Sequence, residues 1–368
     1  MNRHTLLLIT PYFPPEIGGL ESYAFNIVKR LYKKYGWNIV VITSFRGKDF
    51  TTIKEELVEG MKIYRLPTLF TISNTPINPL WLFWIRKIIK TTKPDLINVH
   101  SPVPFISDVA CLVSSNIPVV LTYHAGTMRK GKILPDLGIG FYETFLLPLM
   151  IRKAYAIICS SKFVQRTIFN RITKETTVIH PAVDTEQFKP ILNKDYSEKN
   201  VLFIGRYANM YRMKGLYYLI DAIKSTPGIN LRIVGETLDI EDSQVMFVGL
   251  RYGLDLIREI QSCSLLVLPS LAHMESFGMV LVEAMACGIP VIGTNIGGIP
   301  EVINDGVDGL IVPSEDSKAL AQAIRKILGN PTVAKSMGVA GRKKVVEEYS
   351  WDTQTQKTHD LFINTLKI

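Results

Sequence analysis

The sequence predicts an α/β protein of two doubly wound units, each a parallel sheet covered by helices on both faces. Three observations predict it. Short apolar, β-branched runs alternate with helical patterns along the chain. That alternation breaks once, at a stretch rich in Pro, Asp, Thr and Gln, and then restarts. The 368 residues also exceed one ordinary core, since a domain runs to roughly 150–200 residues.

In the first half, strands are predicted over 5–10, 38–43, 96–100, 119–124 and 156–160. Their near-continuous hydrophobicity implies that both faces are covered. Residues 178–190 read as a linker. In the second half, strands are predicted over 200–205, 230–234, 244–248, 265–269, 290–294 and 310–312. Helices follow at 216–224, 254–261, 279–285, 299–303 and 317–328. Doubly wound sheets bind ligands outside the carboxyl ends of their strands, so a cleft collecting those ends is the expected site.

A content of 47% hydrophobic and 20% charged residues is globular and excludes a disordered chain. No run reaches the roughly 18 apolar residues that span a bilayer. The start at Arg3-His4 feeds a strand rather than a signal peptide, so the chain is expected in the cytoplasm or on the cytoplasmic face of the membrane. Cys111, Cys159, Cys263 and Cys287 lie scattered in apolar contexts, which reads as buried thiols with no disulfide or zinc framework. Charge is unevenly divided. Residues 1–180 carry 23 Lys and Arg against 11 Asp and Glu, net +12, while residues 181–368 carry 19 against 22, net −3. The first half therefore suits an anionic partner, although a plain solvated face reads equally from charge alone.

The strongest chemical signal follows Leu268-Pro269-Ser270. It runs Glu275-Ser276-Phe277-Gly278-Met279-Val280, then Glu283, then Gly288-Ile289-Pro290. Glu275 falls on a strand-to-helix loop. Phe277, Gly278, Met279 and Val280 fall at the helix start, where unpaired amides favour a diphosphate or a sugar hydroxyl. Glu283 sits one to two turns into the helix, placed to accept hydrogen bonds from a ribose. A pair of Glu at this spacing is common on helices; the flanking Pro-Ser, Phe-Gly and Gly-Ile-Pro make the pattern specific.

With these residues the chain resembles the family 4 retaining glycosyltransferases of GT-B fold, whose mark is two Glu separated by seven residues. The resemblance runs in order over nearly the whole chain. Gly18-Gly19 match the family's first glycine-rich turn, where glycine lets the backbone approach phosphate; alone they would be only a turn. Gly205-Arg206 and Lys214-Gly215 match the positions whose Arg and Lys hold the donor diphosphate. Paired cations there stabilise leaving-group charge without a metal. No Asp-x-Asp appears that would hold one, so neither metal nor cofactor is expected. His124, ahead of Ala125-Gly126, matches a His beside the transferred sugar, although a strand-end His is often only a structural hydrogen-bonding residue. For His100, structural and acceptor-binding readings both stay open. Gly297-Gly298 match a donor-side segment, with Glu301 as a helix cap. Ser350-Trp351 precede a final helix that in the family returns to the first domain. One departure is Ala182, which stands where the family's linker usually has Gly and implies a stiffer hinge.

The resemblance implies two Rossmann-like domains facing across a donor cleft. Residues 1–181 with 352–368 would hold the acceptor, and residues 190–345 the nucleotide-sugar. The implied activity is metal-independent transfer of a hexose, with retention, from a UDP- or GDP-sugar to a hydroxyl of a glycan or lipid-linked acceptor. Glu275, His124, Arg206 and Lys214 would be catalytic. Gly18, Gly19, Gly205, Phe277, Gly278, Met279, Val280 and Glu283 would bind donor. No nucleic acid is expected as partner. Segments 81–90 and 141–153 mix large apolar with basic residues, and read either as core or as helices at an anionic membrane surface. A GT-B-fold nucleotide-sugar 2-epimerase and a non-catalytic nucleotide-sugar scaffold are the alternatives. A dehydrogenase is disfavoured because neither first strand leads into Gly-x-Gly-x-x-Gly.

Overall fold

Leu6, Leu7, Leu8 and Ile9 are all fully buried, which a strand achieves only when helices cover both faces of its sheet. The computed structural model describes residues 3–16, 18–47, 49–72, 75–125, 133–170, 174–271 and 275–367. The chain divides into two units, Met1–His180 with Gln354–Ile368, and Pro181–Thr353.

The strands of the first unit are β1 (Thr5–Ile9), β2 (Asn38–Phe45), β3 (Lys54–Val58), β4 (Met61–Pro67), β5 (Phe70–Ile72), β6 (Thr75–Ile77), β7 (Leu96–Ser101), β8 (Val119–Tyr123), β9 (Ala156–Cys159) and β10 (Thr176–Val178). Eight of them form one sheet in the order β10-β9-β8-β7-β1-β2-β4-β3. It is parallel apart from β3, which runs antiparallel to β4 at the edge. The helices are α1 (Gly19–Tyr35), α2 (Trp81–Thr92), α3 (Ile106–Val113), α4 (Ile133–Phe141), α5 (Leu147–Lys153) and α6 (Lys162–Ile168), with a π-helical turn at Tyr142–Leu146. Strand period decides the layers. Leu7, Ile9, Val40, Ile42, Ile97 and Val99 point to the face covered by Trp81 and Ile85 of α2, Ala110 of α3 and Met150 of α5.

The second unit is a six-stranded parallel sheet of β11 (Asn200–Ile204), β12 (Asn230–Val234), β13 (Val245–Gly249), β14 (Leu265–Leu268), β15 (Val291–Thr294) and β16 (Gly309–Val312). Its order is β13-β12-β11-β14-β15-β16. The switch in direction of winding falls between β11 and β14, where a doubly wound sheet opens its ligand crevice. Helices α7 (Leu216–Lys224), α8 (Gly253–Ser262), α9 (Met279–Ala286), α10 (Ile299–Val302), α11 (Ser317–Leu328) and α12 (Pro331–Glu348) complete it. The last helix, α13 (Trp351–Leu366), carries the chain back to the first unit from Gln354 onward. There Trp37 Nε1 donates to His359 Nδ1 at 3.0 Å, and the Trp37 and Phe362 rings meet edge-on at 5.9 Å.

Among the strands, β3, β4, β5, β6 and β10 have no predicted counterpart, and in the second half neither does α12. β3 is the exposed Lys-Glu-Glu-Leu-Val edge, without the alternation that marks a half-buried strand. α12 contains Gly338 and Gly341; a Cβ at Gly338 would lie 2.0 Å from the Gly288 carbonyl, so glycine there sets a close helix approach rather than a break. Segment 81–90 is a helix with one face in the core and the other exposed. Trp81, Ile85, Ile88 and Ile89 are buried, and only Leu82, Phe83, Arg86, Lys87 and Lys90 face outward. All four cysteines are buried and free. No helix among the described residues is long and apolar enough to cross a membrane.

Because Phe362 is 1% exposed and seats α13 on Trp37, Phe362→Ala should destabilise the protein by about 3–5 kcal/mol. Denaturant unfolding checks this, and an unchanged midpoint would contradict the anchoring.

Candidate active site

The site in the second unit starts from backbone contacts that only glycine permits. β14 ends at Leu268, and α9 begins at Met279 with Gly278 as its N-cap in the left-handed region, φ 91°. Glu275 lies on the loop between. Its carbonyl accepts from the Gly298 amide at 2.9 Å. A Cβ on Gly297 would sit 2.1 Å from that same oxygen, and one on Gly298 2.2 Å from the Ser276 carbonyl. The Gly297-Gly298 turn is thus the support of the acidic loop, with Gly297 at φ +59° adding its own demand for glycine.

Lys214 is held by a similar device. Gly215 caps α7 at φ +72°, and a Cβ there would lie 1.9 Å from the Pro269 carbonyl. The Leu271 amide donates to the Met213 carbonyl at 2.8 Å. The turn before α7 is therefore pressed onto the end of β14, and Lys214 Nζ lies 3.7 Å from Glu275 Oε2. Glu283 keeps some accessible surface but stands amid enough protein that burial pushes its carboxyl up to about 7, against the downward pull of Lys214. One ammonium is coupled to two carboxyls.

Arg206 follows Gly205, whose amide donates to Val234 at 2.9 Å. Its guanidinium lies 4.9 Å from the Tyr207 ring centre and 5.6 Å from that of Tyr252. At the start of α9, Met279 and Val280 supply first-turn amides, which a helix leaves without intrahelical acceptors. Phe277 precedes the helix rather than opening it. Its side chain is 1% exposed and packs edge-on against Tyr349 at 5.3 Å, so it is a wedge of the core.

In the first unit, His100 at the end of β7 and His124 just past β8 are brought together, ring centres 4.8 Å apart. Tyr23 from α1 closes the cluster at 5.6 Å and 4.9 Å respectively. Asn98 donates to Val120 O and Thr122 Oγ1, which leaves its Oδ1 to accept from His100 Nε2 at 3.1 Å. That assigns the His100 proton to Nε2 and makes its buried Nδ1 a partnerless acceptor. Buried His124 Nε2 has no partner either. Burial holds His100 well below its ordinary range and His124 down at about 4, so both rings are neutral near pH 7. Gly18 is the extended N-cap of α1, and a Cβ on Gly19 would meet nothing within 4 Å, leaving space at that helix start. Gly126 lies outside the described residues. Among them, no group of three His, Cys, Asp or Glu is arranged to hold a metal ion.

The family model for glycosyl transferases group 1 matches residues 184–344, and that for glycosyltransferase family 4 matches residues 17–187. Together they span both units. The chain is a group 1 glycosyltransferase. This transferase is 26% identical over 386 residues to the phosphatidylinositol N-acetylglucosaminyltransferase gpi3 subunit of Schizosaccharomyces pombe, covering 96% of the chain and 79% of that protein. It is 28% identical over 382 residues to the N-acetyl-alpha-D-glucosaminyl L-malate synthase of Bacillus anthracis, covering 96% of each. Anabaena HepE, solved in complex with UDP and glucose, shares the GT-B fold at TM-score 0.74 and 20% identity, over 98% of this chain and 100% of that one.

Several residues of the two candidate clusters, one in each unit, were not singled out from sequence. Asn98 was legible: it lies two positions before His100 and so shares its face of β7. Tyr23, Tyr207 and Tyr252 carried no such signal, because their partners come from other elements. Glu283 ionises near pH 4.5 unfolded and near 7 folded, so the folded state binds more protons in that window and stability falls as pH rises through it. In the ligand-free protein, Glu283→Gln should remove that fall and gain on the order of 3 kcal/mol at about pH 8. Parallel pH profiles of the unfolding midpoint would refute this. Gly297→Ala should destabilise by about 1–3 kcal/mol, read by denaturant unfolding, because it strains the turn that supports Glu275.

Proposed function

We propose that this glycosyltransferase moves a hexose from a UDP- or GDP-sugar to an acceptor hydroxyl, retaining anomeric configuration and using no metal. The observation that carries the reading is the Lys214–Glu275 pair beside desolvated Glu283 at the carboxyl end of β14, on the crevice side of the sheet. Arg206 and Lys214 would take the charge that grows on the leaving diphosphate. Glu275 would hold a hydroxyl of the transferred sugar and Glu283 the ribose, with the Met279 and Val280 amides against sugar and phosphate. The bond from the anomeric carbon to the phosphate oxygen breaks as the acceptor oxygen bonds to the same face. The acceptor's proton passes to a donor phosphate oxygen, giving the nucleoside diphosphate and a glycoside. His124, at about 4, is too weak a base to take that proton near pH 7 and instead offers Nε2 to a hydroxyl. The UDP and glucose named with Anabaena HepE support a UDP-sugar as the first donor to try.

The relatives' names point to different acceptors, phosphatidylinositol in one and L-malate in the other. The +12 charge of residues 1–180 favours a lipid-linked acceptor at an anionic membrane. With radiolabelled donor and membrane extract, label should enter the organic phase; label confined to water-soluble product would assign a small soluble acceptor.

Glu275→Ala should lower turnover by about 10²–10³-fold with the melting temperature little changed. Near-normal turnover would remove Glu275 from the reaction. A chelator should leave the wild-type rate unaltered, and a loss restored by Mg²⁺ would contradict metal independence.

A further inference from the structure

One exposed apolar surface of the first unit does not belong to the site above. It runs from α4 through the π-helical turn into α5. Leu137, Phe141, Phe145 and Leu149 are each more than half exposed, as is Leu112 of α3. The Phe141 and Phe145 rings touch at 4.9 Å. Between α3 and α5 this surface folds inward as a cavity of about 420 Å³, walled by Leu112, Leu146, Leu149 and Met150. That is the size and lining of a small-molecule site.

The polar groups around the cavity say what kind of molecule fits. Asp108 at its inner end is already committed: its carboxylate accepts from the Phe105 amide at 2.6 Å and from the Tyr142 hydroxyl at 3.2 Å. The interior thus offers mainly hydrocarbon contact, with the Asp108 carboxyl held at its inner end. The remaining charged lining residues are Arg152 and Lys153, both exposed, with Lys153 Nζ steadied on the Ser115 carbonyl at 2.6 Å. An apolar slot with a cationic edge matches an amphiphile that has a hydrocarbon tail and an anionic head. A second copy of the chain fits poorly, because it would bring residues carrying net +12 against the same cations.

We propose that the α3–α5 cavity holds the hydrocarbon chain of an anionic bilayer phospholipid, seating the first unit on the membrane with the lipid phosphate at Arg152 and Lys153. The site deepens the lipid-linked acceptor reading by placing the enzyme at the surface where such an acceptor lies. Its chemistry stands on the cavity alone.

The test uses the full chain with phosphatidylcholine vesicles, with and without phosphatidylglycerol. All four native cysteines are buried, so Leu149→Cys gives one reactive thiol for an environment-sensitive fluorophore. On phosphatidylglycerol vesicles its emission should shift to the blue and be quenched by nitroxides deep in the acyl chains. Leu149→Glu should weaken vesicle sedimentation by about tenfold or more, since a carboxylate resists transfer into hydrocarbon. Arg152→Gln with Lys153→Gln should remove the preference for phosphatidylglycerol. A fluorophore that stays in water on vesicles that sediment the protein, or a Leu149→Glu variant that sediments like wild type, overturns the proposal. So does lipid-free self-association that Leu149→Glu abolishes, which would make the surface an interface between copies. Donor-induced stabilisation is measured on every variant. If it is retained while lipid binding is absent, only the lipid site fails; if wild type lacks it, the donor assignment fails independently of the vesicle result.

Discussion

An ammonium shared by two carboxyls in a partly desolvated pocket is the constraint around which the second unit is arranged. At 3.7 Å, Lys214 and Glu275 are paired but not locked by a short hydrogen bond, and Glu283 is desolvated enough to hold its proton up to about pH 7. Removing Lys214 would take away the cation that pairs with Glu275 and pulls the Glu283 carboxyl down. The glycine contacts support this arrangement. Gly215 against Pro269, and Gly297-Gly298 against the Glu275 and Ser276 carbonyls, fix the backbone to within van der Waals contact, so that the side chains are placed before any ligand arrives.

The two units offer different chemistry at the carboxyl ends of their strands. The second unit offers charge: Arg206 faced by two tyrosine rings, Lys214 and the two Glu. The first offers neutral polar atoms. His100 Nδ1, His124 Nε2 and Ser160 Oγ are buried without hydrogen-bond partners and lie at or just past the ends of β7, β8 and β9. A buried polar atom without a partner costs about 1–3 kcal/mol, and that cost is recovered when a hydroxyl supplies the missing bond. Phosphate recognition suits the charged edge, and recognition of sugar or acceptor hydroxyls suits the neutral one. Burial that keeps both histidines neutral is what makes the second role available.

Most of the parallel strands, though not β4 or β10, and the acidic loop were legible because each is written in contiguous residues. Continuous Val, Ile and Leu runs mark strands covered on both faces, and the Glu275 to Pro290 run carries its own turn, cap and helix signals. What was not legible depends on partners distant in the chain. Nothing near Gly297 states that its neighbour across space is the Glu275 carbonyl. Likewise Tyr23 precedes His100 by most of a domain, and Tyr252 precedes no signal that would pair it with Arg206. α12 has no predicted counterpart, and its Gly338 and Gly341, poor helix formers locally, admit close contact with Gly288 and Met285. The 81–90 stripe shows the converse, since large apolar residues at helical spacing fit core and membrane alike, and the helix buries Trp81, Ile85, Ile88 and Ile89 while exposing Leu82 and Phe83.

Whether Lys214 and its carboxyl partners form a nucleotide-sugar site is tested most directly by the melting temperature of wild-type protein and of Lys214→Met against a panel of UDP- and GDP-sugars, with no metal added. One donor should raise the wild-type midpoint, and Lys214→Met, though folded, should lose that response. Stabilisation undiminished in Lys214→Met, or no response of wild type to any donor, would contradict a nucleotide-sugar site there.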